Sequence, residues 1–159
     1  MPTDPNASSL LWQGLPFAEL DVYQLYELLQ LRSEVFVVEQ NCVYQDLDSL
    51  DPQAHHLLGY QAGVLVCYAR ILPPGLKYED ASIGRIISHG NLRGQGLGRL
   101  LVRKSLEYCQ QLFPMAGIRI SAQYRLERFY QELAFASVSE PYLEDGIPHI
   151  EMLYQGQAG

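Results

Sequence analysis

Three glycines at alternate positions, Gly94, Gly96 and Gly98, stand between an apolar stretch and the start of an amphipathic one. Glycine lets the backbone come close to a ligand because it has no Cβ, and it tolerates backbone angles that other residues avoid. The first amides of a helix have no intrahelical acceptor and carry the positive end of the helix dipole. We therefore predict that this strand-to-helix turn binds an anion such as a phosphate group.

The distribution of charge agrees with an anionic ligand. The chain has 11 Lys and Arg against 18 Asp and Glu, which gives a formal net charge of -7. Its overall acidity argues against a general nucleic-acid-binding protein. Residues 81–106 nevertheless contain no acidic residue, and they hold a local group of cations, namely Arg85, Arg93, Arg99, Arg103 and Lys104.

Two common nucleotide-binding loops do not fit this segment. A Walker loop needs G-x-x-x-x-G-K-[ST], and no Gly-Lys pair occurs in the chain. A dinucleotide-binding loop follows the first strand as G-x-G-x-x-G and has an acidic residue about 20 positions later. Here the glycines lie past the middle of the chain, and residues 113–119 contain no acid. Both interpretations are therefore excluded.

The elements that must position this turn follow from periodicity. Asp21 and Gln24 form the pattern of a capping box, and apolar residues at helical spacing predict a first helix that reaches Phe36. Strands are predicted at 55–60, 64–72, 81–88 and 118–122 with one or two within 138–153, and helices at 97–113 and 126–133. Meandering strands that later alternate with helices predict one α/β (α+β) domain over 1–159, with 1–9 as a loose tail.

An acidic loop is predicted at residues 41–52, which are rich in turn formers and contain Asp46, Asp48 and Asp51. A calcium-binding EF-hand loop also needs a central glycine and a terminal glutamate, and both are missing here. We therefore expect a solvated surface loop that could attract a cationic amine, and we predict no metal site.

The cysteines and apolar runs indicate the compartment. Cys42, Cys67 and Cys109 are odd in number and far apart, so that neither a disulfide framework nor a zinc site is predicted. The N-terminus has no basic signal-like region, and apolar runs such as 35–38 are too short to span a bilayer. These features predict a soluble cytoplasmic protein with no membrane partner.

The glycine-rich segment also resembles a known family. Residues 93–98 (R-G-Q-G-L-G) match [Q/R]-x-x-G-x-[G/A], the acetyl-coenzyme A loop of the GNAT N-acetyltransferases. Residues 129–135 (F-Y-Q-E-L-A-F) are similar to the family's F-Y-x-x-L-G-F and follow in the correct order. Residues 28–40, the acidic loop with the histidines after it, and residues 144–149 resemble the ElaA branch of this superfamily. Together the matches span 28–149.

The resemblance implies a mixed, mostly antiparallel sheet flanked by helices, in which two strands splay apart to admit acetyl-CoA. The pyrophosphate would lie on backbone amides at the helix start, and the pantetheine arm would pair with an exposed strand. Gln123 stands where relatives often carry an Asn that touches the coenzyme. The coenzyme-binding residues implied in this way are Ile86, Ile87, Ser88, Arg93, Gly94, Gln95, Gly96, Leu97, Gly98, Arg99 and Gln123.

The resemblance also implies direct attack of a neutral amine on the thioester, without a covalent enzyme intermediate. A base or a water chain must remove the proton of the amine, and an acid helps the thiolate to leave. Tyr130 is the candidate acid, because its family counterpart lies next to the coenzyme sulfur. Glu39 is the preferred base, because it follows the first helix, where this fold places the acceptor. The alternatives that stay open are His55, His56, Glu140 and His149.

Two functions are compatible with the sequence. The first is an acetyl-CoA-dependent N-acetyltransferase that acts on a small amine or an exposed protein amine, and Tyr130 favours it. The second is an acyl-CoA-binding sensor or interaction domain without efficient transfer.

Ala134 departs from the family pattern, which has glycine there, and is harmless only if its φ is negative. Exposed edge strands predicted in the tail would allow a homodimer.

Overall fold

The fold is described by a computed structural model over residues 10–89 and 96–156. Within these residues the strands are β1 Leu10–Pro16, β2 His55–Gln61, β3 Val64–Leu72, β4 Ala81–Ser88, β5 Ile118–Gln123, β6 Phe135–Ser137, β7 Tyr142–Glu144 and β8 Ile147–Tyr154. The α-helices are α1 Val22–Arg32, α2 Leu97–Leu112 and α3 Glu127–Gln131. The predicted tail and the predicted coenzyme contacts Arg93, Gly94 and Gln95 lie outside the described residues.

One sheet contains all of these strands, in the order β1-β2-β3-β4-β5-β8-β6. The short strands β6 and β7 both pair with β8, along successive parts of the edge that faces away from β5. Every pair is antiparallel except β4 with β5, which is parallel. The predicted mixed, mostly antiparallel sheet is therefore confirmed.

Side-chain alternation along the strands divides the apolar residues between two cores, one on each face of the sheet. Leu57 belongs to the larger core, which α2 and α3 cover. Leu58 belongs to the smaller core, which α1 covers. The strand register places Ser121, Gln123 and His149 on the α1 side of the sheet. A polar surface therefore continues beyond α1 on β5 and β8.

The first helix begins as predicted but ends differently. The Asp21 carboxylate accepts a hydrogen bond from the Gln24 amide at 2.7 Å, and the Gln24 side chain accepts one from the Asp21 amide at 3.0 Å. After α1 the chain continues as a π-helix over Ser33–Glu39. In this segment Val35 belongs to the smaller core, and Phe36 packs against the same core and also lines a neighbouring cleft.

Strand β1 was not predicted from the sequence. It pairs along its whole length with β2 at the edge of the sheet. Gln13, Gly14 and Pro16 are weak strand formers, so its local propensity is low. Gly14 is required by packing, since a Cβ at this position would collide with the ring of Tyr108. Tertiary contacts therefore decide the structure of this segment.

The other predicted elements agree with the structure more closely. Strands β2 to β5 and helix α2 match their predicted bounds to within one residue. Positive φ angles at Ala62 (50°) and Gly63 (79°) form the tight turn between β2 and β3. The short helix predicted at 126–133 is a 3₁₀ turn, Tyr124–Leu126, followed by α3.

Candidate active site

Strands β4 and β5 separate after their first residues and leave a cleft of about 170 Å³ between them. Within the described chain the two strands are in register only at Ala81↔Ile118 and Ser82↔Arg119. The predicted splay of two strands is therefore present. The residues of the two strands that line the cleft beyond this point are Ile83, Gly84, Arg85 and Ile86 on β4, and Ile120, Ser121, Ala122 and Gln123 on β5.

A β-bulge in β4 lies beyond Ser82, the last residue of this strand that pairs with β5. Ala69 of β3 faces two residues of β4, Arg85 and Ile86. Arg85 has a φ of 50°, in the left-handed region that is unfavourable for residues other than glycine. A bulge bends its strand and interrupts the hydrogen-bond ladder. The bulge therefore lies within the part of β4 that has already separated from β5.

The acidic loop lies at the surface as predicted, but its aspartates are bound by arginines rather than by solvent alone. Asp46 accepts hydrogen bonds from Nε of Arg32 and Nε of Arg85, both at 2.8 Å. Asp48 accepts two from Arg70, also at 2.8 Å. Charge-assisted pairs of this kind are short and directional. They hold the loop against the bulge of β4 and neutralise the carboxylates that were expected to attract an amine.

Asp51 lies at the centre of this network and is 4% exposed. Burial alone would raise the pKa of its carboxyl group, but hydrogen bonds from Arg32 (2.7 Å) and Arg70 (3.1 Å) lower it. The neighbouring His56 lies 3.0 Å from the Asp51 carbonyl through Nε2 and 2.5 Å from the Tyr68 hydroxyl through Nδ1. Burial lowers the pKa of His56. The neutral ring therefore donates from Nε2 and accepts at Nδ1.

The N-terminus of α2 has the geometry expected of an anion site. Gly96 has a φ of 75°, and a Cβ built there would meet no atom within 4 Å. No side chain in the described part of the chain caps this helix. The amides of Leu97, Gly98 and Arg99 precede the first intrahelical hydrogen bond, from Leu100 to Gly96 at 3.2 Å. Amides at this position favour an anionic ligand.

Helix α3 packs beside this anion site. A Cβ built at Gly98 would lie 3.7 Å from the Phe129 ring, an ordinary contact distance. The Arg99 guanidinium lies over the same ring, 5.4 Å from its centroid, and forms an ion pair with Glu132. These contacts place the start of α2 next to the helix that carries Tyr130.

Tyr130 is almost completely buried and lines the cleft. Its ring packs edge-on against Phe129 and Phe135, with centroid distances of 5.1 and 5.6 Å. Burial raises the pKa of Tyr130 to about 12, so the hydroxyl keeps its proton at neutral pH. The environment of Tyr130 is therefore suited to a proton donor rather than to a base.

One end of the cleft is enclosed by the π-helix, the acidic loop and the β7–β8 hairpin. Phe36 lines it from the π-helix, Gln40 from the residue that follows this helix, and Cys42 and Tyr44 from the acidic loop. The Cys42 thiol lies 3.6 Å from the Asp145 carbonyl in the turn of the hairpin. The two walls therefore meet at this end.

A polar cluster lies on the hairpin side of this end. Nδ1 of His149 is 2.7 Å from the Ile147 carbonyl, and Nε2 is 3.3 Å from a carboxylate oxygen of Glu144. The His149 ring stacks on Tyr142 at a centroid distance of 6.3 Å. The hydroxyl groups of Tyr142 and Ser121 are hydrogen-bonded at 2.5 Å. This cluster offers several hydrogen-bonding groups to a molecule in the cleft.

The five candidate bases differ in their position relative to the cleft. His149 lines the cleft. Glu39 is the exposed last residue of the π-helix and precedes Gln40, which lines the cleft. The candidates that lie elsewhere are the exposed Glu140, the half-buried His55 and the buried His56. Glu144 was not predicted as a site residue, because only the hairpin brings it against His149.

The described residues that were predicted to bind the coenzyme are divided between two positions. Ile86 and Gln123 line the cleft from its two strands. Ile87 packs in the smaller core, and Ser88 is the last residue of β4. The Gln123 side chain accepts a hydrogen bond from Nε of Arg125 at 3.0 Å. Of the described residues implied by the resemblance to bind the coenzyme, Ile86 and Gln123 are therefore the two that line the cleft.

Among the residues that the structure describes, no three or more His, Cys, Asp or Glu side chains are grouped so that they could hold a metal ion. In the same two stretches of chain, no helix is both long and apolar enough to cross a membrane.

Comparisons with known proteins agree with this geometry. A sequence model of the family described as "Acetyltransferase (GNAT) domain" matches residues 20–155. The chain is 49% identical to protein ElaA of Escherichia coli K12 over 143 residues, which cover 89% of this chain and 94% of that protein.

Solved structures give the same result. A crystal structure of an acyl-CoA N-acyltransferase from Pseudomonas aeruginosa matches with a TM-score of 0.88 and 43% identity, covering 92% of this chain and 99% of that one. The crystal structure of Escherichia coli ElaA matches with a TM-score of 0.86 and 47% identity at the same coverage.

Proposed function

The chain belongs to the GNAT acetyltransferase family, in its ElaA-like branch, and we propose that it transfers the acetyl group of acetyl-CoA to an amine of a small molecule or a protein. Membership in this family supports acyltransferase activity. Acetyl as the transferred group and an amine as the acceptor are the specific parts of the proposal. The free thiols Cys42, Cys67 and Cys109 agree with action in the reducing cytoplasm.

The observation that carries the proposal is the cleft between β4 and β5, with an open helix N-terminus beside it. A thioester that entered the cleft could pair its pantetheine amides with β4, which lacks a β5 partner beyond Ser82 in the described chain. Its pyrophosphate would lie on the amides of Gly96, Leu97, Gly98 and Arg99, together with Gln95, Arg93 and Gly94 before them.

Different residues of the cleft would orient the thioester, protonate the leaving thiolate and remove the proton of the amine. Backbone and side-chain contacts in the cleft would orient the thioester. The apolar surroundings of Tyr130 would exclude water from the sulfur atom of the thioester. The protonated Tyr130 would donate to the leaving thiolate. The sequence favours Glu39 as the base, but this exposed residue precedes Gln40 and is not itself among the residues that line the cleft, so it could take up the proton only through water.

Turnover distinguishes this enzyme from an acyl-CoA-binding sensor. We expect steady release of CoA thiol from acetyl-CoA that depends on an added amine, together with an acetylated amine detected by mass spectrometry. Propionyl-CoA and longer acyl-CoA thioesters, tested in parallel, identify the preferred acyl group. Tight binding of acetyl-CoA with no thiol release above background across a broad amine panel would contradict the enzyme and favour the sensor.

A further inference from the structure

We infer that His149 and Glu144 form a subsite for the primary ammonium group of the acceptor, and that His149 removes its proton. This inference rests on the proposed function, since it identifies the substrate class and the base of the same cleft. Both residues line the cleft from the β7–β8 hairpin.

The hydrogen bonds of His149 determine which nitrogen is basic. Its Nδ1 lies 2.7 Å from the carbonyl oxygen of Ile147, which can only accept, so Nδ1 carries the proton in the neutral ring. In the neutral ring Nε2 therefore carries a lone pair, whereas in the imidazolium it donates to Glu144, whose carboxylate oxygen lies 3.3 Å away. Binding of the acceptor thus requires the neutral ring, in which Nε2 and the ionised carboxylate are both acceptors.

Two acceptors that face each other at this distance favour a donor placed against both. A primary ammonium group has three N–H donors and a positive charge, and can therefore donate to Nε2 and to the Glu144 carboxylate together. A hydroxyl or a quaternary ammonium group lacks either the charge or the donors. The geometry thus favours primary amines in their protonated form.

The other groups around His149 leave the subsite acidic. From β7, Tyr142 stacks on the ring, and its hydroxyl is bonded to Ser121 of β5. Asp145 of the hairpin turn lines the same end of the cleft and adds negative charge. Glu151, two residues along β8, forms an ion pair with Arg119 at 3.7 Å.

The remaining charged residues of the cleft lining do not cancel the negative charge around His149. The side chain of Lys77 packs over the ring of Tyr78, 5.4 Å from its centroid. The cleft-lining arginines, Arg70 and Arg85, are neutralised by the aspartates of the acidic loop. Glu144 and Asp145 therefore dominate the charge at the acceptor end.

The proposed step balances as follows. The ammonium gives one proton to Nε2 of His149 and becomes a neutral amine, which attacks the thioester carbon. The C–N bond forms and the C–S bond breaks, the second amine proton reaches the thiolate by way of Tyr130, and His149 releases its proton to solvent. The sum is ammonium plus acetyl-CoA giving acetamide, CoA thiol and one proton.

Two variants test the role of His149 in turnover. In His149→Asn the side-chain amide can still donate to the Ile147 carbonyl, but no base is present, so kcat/KM should fall about 10²-fold. The acidic limb of the pH profile of kcat/KM should also disappear. Glu144→Gln should raise KM for n-butylamine, and n-butanol should not be acetylated by the wild type.

The matched control is His55→Asn, which changes a half-buried histidine that packs against Tyr108 and Phe113 away from the cleft. It should retain wild-type kcat/KM and pH profile. If His149→Asn kept the wild-type acidic limb while Glu39→Gln removed it, Glu39 would be the base and the inference would be overturned.

A spectroscopic measurement tests the site without turnover. Two-bond ¹H–¹⁵N NMR on protein labelled in its four histidines, with His149→Asn for assignment, reports the tautomer of each ring. We expect neutral His149 to be protonated at Nδ1, and its Nε2 signal to move when n-butylamine is added. Protonation at Nε2, or no response to the amine, would overturn the inference.

Failure of the proposed function has a different signature. In that case the wild type would release no thiol from acetyl-CoA with any amine, and His149 would lose its catalytic role with it. An active wild type with an equally active His149→Asn variant would remove the His149 assignment alone.

Discussion

The chemistry of Tyr130 is set by its immediate surroundings. Burial between Phe129 and Phe135 raises the pKa of the phenol to about 12, which keeps a donor at the cleft throughout the neutral range. In Tyr130→Phe we expect kcat to fall about 10²-fold while the Kd of acetyl-CoA changes little, because only the hydroxyl is lost. Steady-state kinetics and calorimetry measure the two quantities.

A matched control is Tyr154→Phe, which removes a hydroxyl from a half-buried tyrosine on the other side of Phe135. Its kcat should equal that of the wild type. An unchanged kcat in Tyr130→Phe would remove Tyr130 from the mechanism.

Ala134 carries backbone strain, at the position where the family pattern L-G-F would place glycine. Its φ is 70°, so the condition under which alanine would be harmless is not met. Ala134→Gly should therefore raise the free energy of unfolding by about 1 kcal/mol and Tm by roughly 2–4 °C. The control Ala136→Gly lies in β6 and should lower Tm. Calorimetric scans that show Ala134→Gly to be neutral or destabilising would contradict the assigned backbone angle.

At the scale of elements, the start of α2 offers a test that separates ligand binding from folding. An Asp at Gly98 meets only an ordinary contact with Phe129 and suits the positive end of the helix dipole. We therefore expect Gly98→Asp to keep or raise Tm, but to weaken acetyl-CoA binding at least tenfold by repulsion of the pyrophosphate.

The control for this variant is Tyr23→Asp, which adds the same charge at the second position of α1, where the side chain is 76% exposed. Its Kd for acetyl-CoA should match that of the wild type. Titration calorimetry that gave Gly98→Asp the wild-type Kd would move the pyrophosphate away from this helix.

The elements differ in how far the sequence predicts them. Strands β2 to β5 and α2 are predicted well, because each has a clear apolar period and a turn signal at its end. Strand β1 is not predicted, because it depends on pairing with β2, and the π-helix was predicted as a continuation of the α-helix to Phe36. The role of the acidic loop escaped prediction because Arg32, Arg70 and Arg85 come from three other elements.

The same distinction holds within the candidate site. The glycine-rich turn and Tyr130 belong to contiguous motifs, so their positions along the chain are sufficient to identify them. The pairing of His149 with Glu144 depends on the register of a hairpin. The sequence could therefore supply five candidate bases, but it could not identify which of them lies in the cleft.

At the scale of the whole molecule, the buried network around Asp51 makes stability depend on pH. Burial lowers the pKa of His56 below its ordinary value of 6.5, so the unfolded state binds more protons than the native state just below that pH. The free energy of unfolding should therefore fall as pH decreases below about 6.5, by up to ~1.4 kcal/mol per pH unit for one proton. Asp48 and Asp51, whose pKa values the arginines lower, add a second loss below about pH 4.

Denaturant unfolding between pH 5 and 8 measures this dependence. His56→Gln should be less stable than the wild type at pH 7 but should lose less stability on acidification. Burial also lowers the pKa of His55, which accounts for a residual slope in the variant. An identical slope in wild type and His56→Gln would show that His56 is not the titrating group.

The central claim is that the cleft between β4 and β5 binds acetyl-CoA, and a thermal-shift titration with acetyl-CoA, CoA and ATP tests it most directly. Ligand at 100 times its Kd stabilises the native state by about 2.7 kcal/mol. We predict that both coenzymes raise Tm of the wild type and that ATP does not. In Gly84→Val, whose added side chain starts in open space within the cleft, the unliganded Tm should be kept and the shift lost. No shift with either coenzyme, or an undiminished shift in Gly84→Val, would contradict the claim.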